Sequence, residues 1–380
     1  MKNRTFVSAA CAVILATLTV ACGSSKPSTP TTPTPVSATL TAPKLDSPSA
    51  GAQTDTLRPT LTVQNATSDQ PAGTRTYEFQ ISDTSAFSAA TIASTIQGFD
   101  AQVGKTGIAE GAGGKTSFAV ESDLQPTTTF FWRARAVQGS ATGPWSETFQ
   151  FKSKLVGFNR AGELYDPLIH GETVGTIVGS ATFIPGEGLQ INNGQSHVRY
   201  LLPATIRTGE FSMDVKGLRA NAPGDKTKVF GMQEGQGDFI ENKFRVDIQY
   251  RGTAGFPPNA ITFRALNGDA GDLDVRYEPD TATRLASVFL LNPGNLYHWK
   301  ATWGSEFRVT VLDGGTAGSV LYNIGVRSPN GSYTPNPHYA YLGAPVGRSG
   351  GESASIAGAI YRNVWLSDKP RPATLGSALQ

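Results

Sequence analysis

Phe244–Arg251 reads FRVDIQYR. Apolar and polar residues alternate through it with a period of two, the period at which strand side chains change face. Phe244, Val246, Ile248 and Tyr250 share one side, and Arg245, Asp247, Gln249 and Arg251 share the other. This is a strand with a core face and a polar face. The same alternation recurs at Phe211–Val215, Tyr297–Trp303, Phe307–Val311 and Val320–Ile324, with a closing run at Ala359–Trp365. Asp313-Gly314 falls between two such runs and marks a turn between paired strands, and Asn193-Gly194, Asn267-Gly268 and Asn330-Gly331 add turn punctuation. No stretch carries a long helical period, and glycine is abundant at 42 residues. The chain is therefore expected to be all-β, with many turns.

About 215 residues, 156–372, read as one antiparallel unit, and that size suggests a jelly-roll sandwich. The order of parts is an early Gly-Glu-Phe-Ser-Met-Asp-Val strand, a Trp-bearing strand, a strand running into Leu312-Asp313-Gly314, and a closing Asn363-Val364-Trp365 strand. This resembles the concanavalin A-like lectin and glucanase superfamily, including its laminin G-like members. The resemblance implies carbohydrate binding or glycan cleavage.

Glycan hydrolysis needs two carboxylates about 5–9 Å apart flanking the bond. A Glu-x-Asp-x-Glu strand would place them on one face, and none is present. Lyases of this fold use a Gln-x-His strand and a Tyr-x-Lys strand, and neither occurs; Gln249 and Tyr250 stand without a partner histidine. Binding is the stronger reading. Arg245, Asp247, Gln249 and Arg251 form its polar row, which Arg264, His298 and Lys300 would extend from other strands. The plain alternative is a solvated outer face. Trp299 and Trp303 fall on the apolar side and read as core.

Laminin G-like relatives hold calcium at a rim, so the resemblance implies a possible calcium site. Asp269, Asp272 and Asp274 are the densest oxygen cluster, in a glycine-rich run that also reads as a wet hairpin loop. The four histidines, at 170, 197, 298 and 338, show no metal spacing. Gly217–Phe239 reads as a long loop at the rim of the binding site.

Residues 41–153 form a second unit. Thr60–Val63, Tyr77–Ile81, Thr116–Val120 and Phe130–Val137 alternate, and Pro, Gly, Asp and Ser separate them. Leu124–Val137, LQPTTTFFWRARAV, followed by Gly143-Pro-Trp-Ser146, resembles the fibronectin type III signature. One departure is Phe130, which stands where the family's corner tyrosine would donate its hydroxyl. Ala109–Thr116, AEGAGGKT, fits a loose P-loop pattern. A P-loop needs a helix after it, and Ser117-Phe-Ala-Val120 reads as β, so no nucleotide site is expected.

At the start, Lys2 and Arg4 precede an uncharged run, Phe6–Val20. It is too short for a span, which takes about 20 residues, and reads as a signal peptide over 1–21. Leu18-Thr-Val-Ala-Cys22-Gly resembles the bacterial lipobox. Thr19 departs from the usual leucine. The resemblance implies a lipidated Cys22 and, with Gly23 after it, sorting to the outer membrane. Cys11 would be lost with the signal peptide, so the folded part holds no thiol. Residues 22–40 are rich in Ser, Thr and Pro and read as an extended tether.

The signal peptide carries two of the 32 basic residues and none of the 30 acidic ones, so the mature chain is near neutral. No basic cluster stands out, which argues against nucleic acid. The expected protein is a lipid-anchored cell-envelope protein that binds polysaccharide. A glycan-cleaving enzyme with carboxylates from distant strands, and a structural or protein-adhesion lipoprotein, are the alternatives.

Overall fold

Two hydrophobic cores organise the chain, one built from residues between Leu40 and Phe151, the other between Leu164 and Leu366. The computed structural model describes residues 37–87, 105–225, 227–236, 244–267, 274–277, 288–327, 336–345 and 354–379. Cys22, the signal peptide and all but the last few residues of the tether lie outside them.

The smaller sandwich contains β1 (Lys44–Ser47), β2 (Ala52–Gln53), β3 (Thr60–Gln64), β4 (Arg75–Ser82), β5 (Lys105–Ala109), β6 (Lys115–Ala119), β7 (Thr129–Gln138), β8 (Ala141–Thr142) and β9 (Phe149–Lys152). One sheet runs β1-β3-β6; the other runs β2-β9-β7-β4-β5, with β8 on β7. In β7 burial alternates strictly, with Phe130, Trp132, Ala134 and Ala136 fully buried, as period-two alternation requires.

The corner at Phe130 is closed by another residue. Phe130 stacks on Phe151 at 5.9 Å. The buried Ser153 hydroxyl donates to the Gln125 carbonyl at 2.7 Å and accepts the Thr128 N–H at 3.0 Å. A serine hydroxyl thus satisfies backbone groups that burial would otherwise leave unpaired. AEGAGGKT crosses between the sheets: Ala109 ends β5, Lys115 begins β6, and no helix follows. Glu110 is taken up by Arg75, in two hydrogen bonds of 2.5 and 2.6 Å, and by the Tyr77 hydroxyl at 3.0 Å.

The larger sandwich contains β10 (Phe158–Arg160), β11 (Glu163–Asp166), β12 (Thr176–Val178), β13 (Ala181–Ile184), β14 (Gly188–Ile191), β15 (His197–Leu201), β16 (Gly209–Lys216), β17 (Thr227–Gln233), β18 (Phe244–Tyr250), β19 (Ile261–Asn267), β20 (Asp274–Tyr277), β21 (Tyr297–Trp303), β22 (Phe307–Asp313), β23 (Ser319–Val326), β24 (Tyr339–Leu342), β25 (Ala354–Ser355) and β26 (Ile360–Ser367). One sheet runs β10-β11-β26-β16-β21-β22-β23, with the β13-β14 hairpin joined through β14 to β26. The facing sheet runs β12-β15-β24-β17-β18-β19-β20, with β25 parallel to β17. The runs β17-β18-β19-β20 and β21-β22-β23 pair in sequence order, while β11-β26, β26-β16, β16-β21, β15-β24 and β24-β17 join strands far apart in sequence, the crossovers of a jelly roll rather than of a pure meander. The protein is all-β, a small sandwich followed by a larger jelly-roll sandwich.

Trp299 and Trp303 are core residues, at 0% and 4% exposure. The segment Gly217–Phe239 is not one long loop. It contains β17, whose Phe230 and Met232 are fully buried. The alternation breaks at Val229 and Phe230, adjacent core residues at a β-bulge, and that is why the strand was hidden.

The C-terminal segment ties the two sandwiches together. Gly376 and Ala378 donate N–H groups to the Thr127 carbonyl, at 2.9 and 3.3 Å. Ser377 Oγ accepts the Thr129 N–H at 2.8 Å.

Candidate functional site

The outer face of the sheet containing β18 is the candidate site. Phe244, Val246, Ile248 and Tyr250 enter the core, so Arg245, Asp247, Gln249 and Arg251 turn the other way. They are not open solvent surface: their exposures are 6%, 2%, 5% and 6%. A buried charge needs partners, and several strands supply them. Lys228 on β17 donates to Asp247 Oδ1 at 3.0 Å. Arg245 Nε lies 3.9 Å from Asp247 Oδ2, and the Gln249 side-chain amide donates to Asp247 Oδ1. Burial alone would raise the Asp247 pKa; Lys228, Gln249 and Arg245 more than offset it and hold the carboxyl below its ordinary value.

Strand registers align this face into rungs. Arg199 on β15 opposes Tyr341 on β24, which opposes Gly231 on β17, then Asp247 on β18, then Arg264 on β19. The next rung runs Leu201, Tyr339, Gln233, Arg245 and Leu266. On the other side, Lys228, Gln249 and Thr262 are aligned. Gly231 has no side chain, so the first rung carries none between the buried Tyr341 and Asp247. Glycine inside a strand marks a place where another group comes close to the backbone.

The Tyr341 hydroxyl donates to the Gly235 carbonyl at 3.0 Å, and the Gln233 amide reaches the same hydroxyl at 3.3 Å. Burial pushes the Tyr341 pKa up to about 12, so it stays neutral at physiological pH. His197 packs against the Tyr341 ring with centroids 5.6 Å apart, and burial, aided by the Arg199 charge, lowers its pKa to about 4. Arg199 donates to Gln236 Oε1 at 2.7 Å. Among the described residues, Gln249 Oε1, Thr262 Oγ1, His197 Nδ1 and Arg264 Nε are buried without a hydrogen-bond partner. Such atoms are costly unless something pairs with them.

His298 and Lys300 do not extend this face. Both lie on β21 in the facing sheet, opposite Asp214 and Ser212 on β16. Alternation correctly turned them away from the core but carried no information on which sheet they join. His298 Nδ1 lies 2.8 Å from Asp214 Oδ1, and Asn363 donates to Asp214 Oδ2 at 3.0 Å. Burial would raise Asp214, yet His298, Asn363 and Arg371 hold it below the ordinary carboxylate value. This cluster belongs to a separate polar cavity of about 240 Å³, lined by Asp214, Arg362 and Asn363.

Arg251 sits at the end of β18, where it donates to the Phe256 carbonyl and, with Arg219, lines a cavity of about 280 Å³. Asp269 and Asp272 lie outside the described residues. Asp274 begins the outer strand β20, opposite Leu266, and its side chain is likewise outside them. Among the described residues, no group of three or more His, Cys, Asp or Glu side chains is placed to hold a metal ion.

Arg199, Lys228, Gly231 and Tyr341 were missed from sequence. Lys228 and Gly231 fell in the segment read as a loop. The alternating Tyr339-Ala340-Tyr341 was the one local signal for β24.

No protein-family model matches the chain, and no curated protein matches it. Solved structures that resemble it include lectin II from Ulex europaeus, at 10% identity over 54% of this chain and 97% of that one, with a TM-score of 0.35. The Ca2+-bound exoplasmic/lumenal domain of VIP36 aligns at 11% identity over 57% of this chain and 93% of that one, with a TM-score of 0.35. The enzymatically active domain of bacteriophage CBA120 tailspike protein 2 aligns at 11% identity over 57% and 31%, with a TM-score of 0.34. Likenesses this distant do not carry the fold assignment, which rests on the strand order and registers above.

Proposed function

We propose that this is a lipid-anchored cell-envelope protein whose larger sandwich binds carbohydrate on the outer face of the β18 sheet. Residues 41–153 are the spacer, of fibronectin type III type, and the 22–40 tether holds both sandwiches off the membrane. The observation that carries the binding reading is the rung Arg199–Tyr341–Gly231–Asp247–Arg264. It sets an aromatic ring, a glycine and charged side chains in one line across five strands. Sugar sites combine such aromatic and polar groups in a recessed surface.

The test is a glycan and polysaccharide binding screen with the full chain in mild detergent, run with calcium and with chelator. Binding without new reducing or unsaturated ends supports the proposal. Such ends would replace it with glycan cleavage, and no binding to any glycan would favour a protein partner. Loss of binding in chelator would bring Asp269, Asp272 and Asp274 forward as a calcium site. For the anchor, metabolic labelling with a radioactive fatty acid should mark the wild type and fail to mark Cys22→Ser.

A further inference from the structure

We infer that the ligand of this face is an acidic polysaccharide, a polymer whose sugars carry carboxylate or sulfate groups; this rests on the carbohydrate-binding reading above. The face is rich in fixed positive charge. Arg199, Lys228, Arg245 and Arg264 turn outward from its strands and Arg251 follows at the end of β18; Arg276 on β20 stands in register with Arg264, and the carboxylates in outward register among the described strand residues are Asp247 and, at the β20 edge opposite Leu266, Asp274. Asp247 is already shared by Lys228 and Arg245. At the Gln233 end, Glu234 is turned to the Phe244 N–H.

The two ends of the central rung matter most. Arg199 is held by the neutral Gln236 oxygen, and Arg264 Nε has no hydrogen-bond partner among the described residues. Arg264 opposes Asp247 in register, yet Asp247 forms its ion pairs with Lys228 and Arg245 instead. Guanidinium groups present planar forks that fit carboxylate and sulfate oxygens in pairs. A neutral glycan offers only hydroxyls to them. Arg199 and Arg264 stand four strand spacings apart, about 19 Å. One sugar unit cannot reach both, whereas a polymer with repeated anionic groups can. Between them, Gly231 brings no side chain to the rung, and Gln249 and Thr262 are aligned alongside it.

The experiment measures affinity electrophoresis of the full chain in detergent against paired polymers. Dextran and carboxymethyl-dextran of equal length isolate the carboxylate, dextran sulfate replaces it with sulfate, and a panel of neutral plant and bacterial glycans completes the set. The expected result is retardation by carboxymethyl-dextran or dextran sulfate but not by dextran, weakening as salt rises. Whichever anionic polymer binds more tightly identifies the group recognised. Arg199→Gln and Arg264→Gln should each weaken binding about tenfold, the loss of one charge-assisted contact. Arg58→Gln, in the small sandwich, should leave binding unchanged.

Binding to neutral glycans as tight as to the anionic ones would overturn the inference and leave the carbohydrate reading standing. Retardation by anionic polymers that neither Arg199→Gln nor Arg264→Gln alters would also overturn it, as plain ion exchange elsewhere on the surface. Failure of every polymer would remove both. The wild-type comparison of dextran with carboxymethyl-dextran decides the question even if a variant does not fold.

Discussion

The outward side of β7 in the small sandwich and that of β18 in the large one start from the same sequence signal, arginines alternating with apolar residues. They end as different surfaces. On β7, Arg135 meets Glu78 across the strand pair at 2.6 Å, and Arg133 meets Gln80 at 2.9–3.0 Å. Trp145 covers both guanidinium groups at 4.4 Å, and Phe87 lies 4.2 Å from Arg133. Arg135 and Glu78 keep 31% and 22% of their side-chain surface in solvent. Here arginine is matched locally and remains wet. On β18, Lys228 and Asp247 keep 4% and 3%, and two arginines at the ends of the rung have no described carboxylate. Alternation sets which way a side chain turns. Whether it meets water, a partner or a ligand depends on the neighbouring strands.

The sharpest way to break the comparison is to neutralise one acid on each side. Asp247→Asn removes the carboxylate from a buried pair and leaves Lys228 and Arg245 facing each other. It should cost about 3–5 kcal/mol, read as a fall in the urea midpoint.

The next effect is in the pH profile of stability, and it comes from two groups with opposite signs. Burial raises Asp166 to about 6, against the ordinary 3.8. The folded state therefore binds a proton more tightly there, and stability falls as pH rises from about 4 to 6. Burial lowers His197 to about 4, against 6.5. Its contribution is complete above pH 6.5 and is lost as pH falls towards 4. Each shift corresponds to about 3 kcal/mol at most, so the wild type should be nearly flat between pH 4.5 and 6.5. His197→Gln should expose the Asp166 slope, with urea midpoints falling steadily as pH rises through this window. A flat profile in the variant would show that Asp166 is not raised.

Ser153→Ala tests the corner of the small sandwich. It leaves the Gln125 carbonyl and the Thr128 N–H without their buried partner, and should cost about 1–3 kcal/mol in thermal or urea unfolding. Smallest is Glu78→Gln, the counterpart of Asp247→Asn. Removing one charge of a partly exposed pair should change stability by no more than about 1 kcal/mol. If Glu78→Gln and Asp247→Asn cost the same, the distinction between the two faces fails.

Much of the fold was legible locally. Period-two alternation located β4, β7, β16, β18, β21 and β22, and Asp313-Gly314 located a turn, with Gly314 at φ 103° where a side chain would be strained. β17 escaped because a β-bulge puts the adjacent Val229 and Phe230 both into the core, which breaks the period of two. The site itself was half legible. The row Arg245–Arg251 lies along one strand, and a row along a strand is a local property.

By itself, the sequence determined the all-β class, the core and outward faces of individual strands, and the β continuation after AEGAGGKT that argues against a nucleotide loop. These follow from steric alternation and turn chemistry, which act over a few residues. The tertiary structure alone decided that Arg199, Tyr341, Gly231, Asp247 and Arg264 share a rung while His298 and Lys300 belong to the other sheet. β17, β18 and β19 follow one another, but backbone hydrogen bonding across long stretches of sequence joins β15 to β24, β24 to β17 and β16 to β21, and no local pattern encodes which distant strand will become a neighbour.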